Sequence, residues 1–159
     1  MLSSLSSRPV SRFGLLATFV VAAACSSSGV NPVPADGKVP LGTWGGDNAG
    51  MIVGDTAMHL HVGCTFGDVS GRIAVDANGR FDVVGSYVLR AYPVTVGPSL
   101  PARFVGRIDG SVATVAVTVN DTVDHATVVK GPVIVQQGES PRLGPCPICR
   151  RPVLTHDRT

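Results

Sequence analysis

Between Ala57 and Cys64 the chain alternates strictly. Met58, Leu60, Val62 and Cys64 fall on one face, and Ala57, His59, His61 and Gly63 on the other; this is the period of two that marks a half-buried β-strand. The same alternation recurs along the chain. Leu41 to Val53 reads as a strand bent or bulged at Gly45-Gly46-Asp47-Asn48,. Gly54-Asp55-Thr56 then turns, and a second turn at Phe66-Gly67-Asp68 leads into a strand over Gly71–Val75. Asp76-Ala77-Asn78-Gly79 is a hairpin turn, because Asn-Gly supplies the positive φ values such turns require,. Arg80–Arg90 follows, with Phe81, Val83, Gly85, Tyr87 and Leu89 on one face. Pro93, Pro98 and Pro101 exclude a central strand from Ala91–Pro101, since proline cannot donate to a ladder,.

Ala102–Ile108 resumes β structure, Asp109-Gly110 turns, and Ser111–Val119 presents Ala113, Val115, Val117 and Val119 as an apolar face. Past Asn120-Asp121-Thr122, Ala126–Val129 and Val133–Gln136 read as two short strands split by Gly131-Pro132. About eight short strands with turn signals between them predict an all-β fold. The expected arrangement is a small antiparallel meander closed, or nearly closed, into a barrel, because closure removes exposed edges. A two-sheet sandwich is the alternative.

Composition agrees with that reading. One Glu, two Lys and three Met leave little helix-forming material, while Val, Thr, Ile and Gly are abundant,. The formal net charge of +2 comes from Arg8 and Arg12; beyond residue 25 eleven basic residues face eleven acidic ones. No basic run exceeds Arg150-Arg151, so the chain is not expected to bind nucleic acid.

The first segment has a different character. Met1–Arg12 holds two arginines and no acid, and Phe13–Ala24 is an unbroken apolar run of twelve. Such a run is too short to span a bilayer, which takes about twenty residues, and has the length of a secretory signal's apolar region. Ala22-Ala23-Ala24-Cys25 resembles the lipobox of bacterial lipoprotein signal peptides, although Ala22 stands where Leu, Val or Ile is usual. The resemblance implies a signal peptide over residues 1–24, cleavage before Cys25, and lipidation of Cys25 with acyl chains such as palmitate. Two or three chains, at about 0.8 kcal/mol per buried CH₂, anchor firmly where one is marginal. A Ser-, Gly- and Pro-rich tether is expected over residues 25–40,. The implied localisation is the cell envelope, with the membrane as partner through the lipid anchor; Ser26 after the lipidated Cys implies the outer membrane where the organism has one.

A second resemblance covers the domain, residues 41–146. G-T-W-G-G-D at Gly42–Asp47, G-R-F-D-V-x-G-x-Y at Gly79–Tyr87, P-A-R-F-x-G-R-I-D-G at Pro101–Gly110 and P-R-L-G-P-C at Pro141–Cys146 resemble a family of small bacterial secreted lipoproteins of unassigned activity. The family brings no catalytic residues. G-x-W at the head of the first strand is also similar to the calycins (lipocalins and avidins), which implies barrel architecture. Residues 147–159 read as a disordered C-terminal tail.

Candidate chemistry is sparse. In an oxidising compartment Cys64, Cys146 and Cys149 allow three pairings,. Cys64–Cys146 is favoured, because it would fasten the tail to the second strand and enclose nearly the whole domain; loop-closure entropy makes such a link worth about 4 kcal/mol. Cys146–Cys149 closes a short loop and gains much less, and Cys64–Cys149 is the third option. The C-P-I-C spacing could carry thiol–disulfide exchange, but it lacks the strand–helix junction that lowers a thiol pKa,. Cys146, Cys149 and His156 fall one ligand short of a structural zinc site,. His59 and His61 share a strand face and could hold a metal in two-fold fashion, yet no third ligand is identifiable,. There is no G-x-S-x-G elbow and no phosphate-cradling loop,.

These observations predict a non-enzymatic lipoprotein domain with a structural or binding role, no cofactor and no metal. One alternative is a carrier whose apolar ligand sits in the barrel mouth between Trp44, Tyr87 and Phe104,. The other is a periplasmic thiol–disulfide protein using C-P-I-C.

Overall fold

The computed structural model describes residues 33–90, 96–144 and 146. The signal peptide, Cys25, Cys149, His156 and the expected tail lie outside these residues. The described chain forms a closed antiparallel barrel of eight strands in chain order. They are β1 (Gly42–Gly46), β2 (Ala49–Val53), β3 (Ala57–Val62), β4 (Thr65–Ser70), β5 (Arg80–Val88), β6 (Leu100–Asp109), β7 (Val112–Asp121) and β8 (Ala126–Gln137). The predicted fold class holds, and the barrel rather than the sandwich is the form it takes.

Alternation decides which side of the wall each residue faces. Ala113, Val115, Val117 and Val119 on β7 are fully buried, as are Met58 and Leu60 on β3. With Trp44, Met51, Tyr87, Phe104 and Ile108 they make one continuous apolar core inside the barrel. The outer wall is mixed: Arg80, Asp82 and Arg103 are exposed, alongside Val84 and Val105. A barrel with an apolar interior and charges on its outer strands reverses the pattern of a membrane-spanning barrel, which is apolar outside. Among the described residues no helix is long and apolar enough to cross a membrane.

Four elements differ from the sequence reading. The bulge expected at Gly45–Asn48 is a two-residue hairpin turn: Gly46 pairs with Ala49, and Asn48 adopts a positive φ of 56°. Phe66-Gly67-Asp68, expected to turn, lies inside β4; the turn is Gly63-Cys64, between paired Val62 and Thr65. The strand expected over Gly71–Val75 does not form. That segment meets the end of the expected tether, where Val39 N donates to Ile73 O and Val75 N to Gly37 O at 2.9 Å each. Val39 is fully buried, so the folded domain takes in the last residues of the segment expected as a tether.

Finally, the two short strands expected near the C-terminus are one continuous β8. Its register with β7 shifts between Val115 and Val117, so Gly131 and Pro132 together oppose Ala116. Such a bulge carries proline through a strand by taking it out of the regular ladder. Pro101 likewise sits in β6, opposite Ser86, one residue before the ladder with β7 begins at Ala102.

Candidate functional site

Trp44, Tyr87 and Phe104 are all fully buried. The Tyr87 and Phe104 rings pack with centroids 6.2 Å apart. Gly67 on β4 lies against both: a Cβ there would stand 2.3 Å from Tyr87 Cδ2 and 2.8 Å from Phe104 Cζ. The polar ends of the rings are satisfied locally. Trp44 Nε1 donates to Pro40 O at 3.2 Å. Tyr87 Oη lies 2.7 Å from Thr65 Oγ1, which itself donates to Val62 O, so the phenol is the donor to the threonine. Burial pushes the Tyr87 phenol above its ordinary range. The three aromatics expected to edge a ligand pocket are thus placed in the packed core.

Three concavities lie on the outside of the described barrel. One, of about 340 Å³, crosses the wall of β5 to β8 and is lined mainly by Val84, Pro101, Ala102, Arg103, Thr118 and Thr127. Another, of about 460 Å³, opens where β1 meets β8 and is lined by residues that include Gly46, Asp47, Ile134 and Arg142. A third lies beside Asp76, Arg80 and Phe81. None of these three is lined by Trp44, Tyr87 or Phe104.

The most elaborate construction is a strap that runs from Gly138 to Gly144 and ends at Cys146. It leaves β8 and crosses the outside of β1 and β2. Gly138 N donates to Thr43 O at 2.8 Å, Arg142 N to Gly46 O at 3.0 Å, and Asn48 N to Arg142 O at 2.9 Å. The strap can lie so close because the residues beneath it lack side chains. A Cβ on Gly45 would be 2.3 Å from the Ser140 carbonyl carbon, and one on Gly50 would be 2.5 Å from Pro141 Cγ. The Arg142 guanidinium pairs with Asp47 at 2.7 Å and holds that carboxyl below the usual carboxylate range.

At its far end the strap carries Cys146, bonded to Cys64 in the β3–β4 turn with a Cα–Cα distance of 5.4 Å. The favoured pairing is therefore the one present. It leaves no Cys146 thiol for a C-P-I-C exchange pair or for a zinc site with Cys149 and His156.

The histidines have a neighbour that the sequence did not reveal. Strand pairing sets Asp68 of β4 directly opposite His59, and its Oδ1 lies 2.6 Å from His59 Nδ1. The His59 and His61 rings stand edge to face with centroids 4.7 Å apart, and Phe66 lies 5.5 Å from each. Burial lowers the His61 pKa, and the His59 charge adds to this against the opposing pull of Asp68. Asp68 was hidden because the sequence placed it in a turn, where it has no cross-strand partner.

Another carboxylate with a structural task is Asp121, buried at the end of β7. Burial pushes its pKa up, but the N–H groups of Asp124 and Val123 and the Arg90 guanidinium outweigh that and hold it below the usual range. Among the described residues no group of three or more His, Cys, Asp or Glu is placed to cage a metal ion.

Comparison with known proteins returns no match to a protein-family model, a curated protein or a solved structure.

Proposed function

We propose that this chain is a lipid-anchored, non-catalytic protein of the cell envelope, held at the membrane through acyl chains on Cys25, whose barrel is a structural or binding module acting through its outer wall. The observation that carries the choice of outer wall over interior is the filled core. Trp44, Tyr87, Phe104, Met51, Met58 and Leu60 occupy the space a ligand would need. An eight-stranded barrel has room inside for side chains or for one small ligand, and here bulky side chains take it. An apolar carrier would need one of these rings to face an open mouth.

Anchoring rests on the sequence alone: a short apolar run, then small residues, then Cys25 and a Ser-rich segment. The outer-membrane assignment through Ser26 and the likeness to small secreted lipoproteins are parts of the same reading. For binding, the groove on the wall of β5 to β8 is the most apolar of the three, and Val84 there is 80 % exposed.

Mass spectrometry of the protein extracted from bacterial membranes tests both halves. The intact mass should show acyl additions that vanish in Cys25→Ala, and the native spectrum should show no stoichiometric small molecule. An unmodified Cys25 would overturn the anchoring, and a co-purifying apolar ligand released only on unfolding would restore the carrier.

A further inference from the structure

We propose that His59 and His61 form an open chelate on the outer face of β3, taking one divalent transition-metal ion of the copper, nickel or zinc type through their two imidazoles, with water in the remaining positions. This inference is independent of the lipid anchor and of any partner at the β5–β8 groove.

The pair is held by a strand with neighbours on both sides. His59 is registered against Ile52 on β2 and Asp68 on β4, and His61 against Gly50 and Phe66. Asp68 is the only charged residue among those four positions. Two histidines two positions apart share a face of a strand, and here both side chains are part-buried rather than free to sweep through solvent.

Their spacing suits a common ion. A nitrogen-to-metal bond of about 2.0–2.1 Å sets each imidazole centroid about 3.2 Å from the ion. Centroids 4.7 Å apart then subtend an angle of roughly 95° at that ion, the cis angle of square-planar and octahedral sites. Phe66, 5.5 Å from each ring, packs against the pair and limits its rotation.

Asp68 supplies the second, independent observation. Metal-binding histidines almost always donate their other ring N–H to a carboxylate, a carbonyl or water, which fixes the tautomer. An ionised carboxylate only accepts, so the 2.6 Å contact places the proton on His59 Nδ1. In the neutral ring this leaves the lone pair on Nε2, on the side away from Asp68. The arrangement supplies two ligands and one orienting carboxylate. It is short of the four ligands of a structural zinc site, so the ion it takes is exchangeable.

The test is Ni²⁺ titration calorimetry in a non-coordinating buffer, joined to Cu²⁺ electron paramagnetic resonance. It uses the full chain carrying Cys149→Ser and His156→Gln, so that neither tail residue competes. The expected result is one Ni²⁺ per chain, weakened at least about tenfold by His59→Gln or by His61→Gln, and a Cu²⁺ spectrum with imidazole nitrogen couplings that both variants lose. Asp68→Asn should weaken Ni²⁺ binding by about tenfold without removing a ligand. Circular dichroism confirms that each variant is folded; if one His variant does not fold, the other and Asp68→Asn still decide. Failure to bind Ni²⁺ up to about 1 mM, or unchanged affinity in the His59→Gln/His61→Gln double variant, would overturn the proposal.

Discussion

The two halves of the barrel are held by different means. From β5 to β8 the strands run nine to twelve residues. Their ladders are long, extending from Ala102↔Val119 to Asp109↔Val112 between β6 and β7. From β1 to β4 the strands are five or six residues. At the seam, β1 and β8 share only two register pairs, Trp44↔Gln137 and Gly45↔Gln136. A seam that short cannot rest on its ladder, and the strap lies across it, bonded to β1 on the way and fixed by Cys64–Cys146 at the end. Both halves share one apolar core and paired strands, and the short-strand half adds a covalent crossing. Gly46 and Asp47 of G-T-W-G-G-D meet Arg142 of the tail motif P-R-L-G-P-C at that crossing.

The contrast can be broken most directly at the cystine. Cys64→Ser or Cys146→Ser opens a link spanning 82 residues; loop-closure entropy makes the loss about 4 kcal/mol, read as a lower midpoint in urea. Next, Gly45→Ala places a methyl group against the Ser140 backbone and should cost about 2 kcal/mol by overpacking. Because that cost arises under the strap, it should shrink in a Cys146→Ser background, the non-additivity expected of sites sharing one element.

Val117→Ala, in the fully buried face of β7, sharpens the comparison from the other side. It should cost about 2 kcal/mol through lost contacts and a cavity, and the same amount with or without the cystine. The smallest effect concerns acid. The folded pKa of Asp121 is depressed, so its contribution is fully present above the unfolded value of about 3.9 and is lost as pH falls through the folded value. Asp121→Asn should remove that part of the acid sensitivity, seen as a flatter denaturation midpoint against pH below that range.

The same division explains what could be read from the sequence. The long strands of β5, β6 and β7 were legible because unbroken alternation, as at Ala113–Val119, survives any choice of partner. The short-strand half was read less well because its glycines are ambiguous. Gly67 looks like a turn residue in Phe-Gly-Asp, yet it is glycine so that Tyr87 and Phe104 can pass beneath β4. Gly45 and Gly46 look like a bulge, yet they make room for the strap and for the β8 backbone at Ile134. Close approach and positive φ use the same residue, and only the neighbours tell them apart.

The cystine was legible because fastening the tail to the strand expected to end at Cys64 encloses nearly the whole domain, whereas a Cys146–Cys149 link closes only a short loop. The pairing of Asp68 with His59 was not, because it depends on a register that a misplaced turn conceals.

Amide hydrogen exchange on the oxidised and the reduced protein, under conditions where the reduced chain stays folded, tests the central claim that the strap closes the barrel. Reduction should lower protection selectively at the strap and the seam, at Asn48, Gly138 and Arg142, whose N–H groups donate to Arg142 O, Thr43 O and Gly46 O, while Val115, Val117 and Val119 on β7 keep theirs. Equal loss of protection on β7, or unchanged protection at the seam, would contradict it.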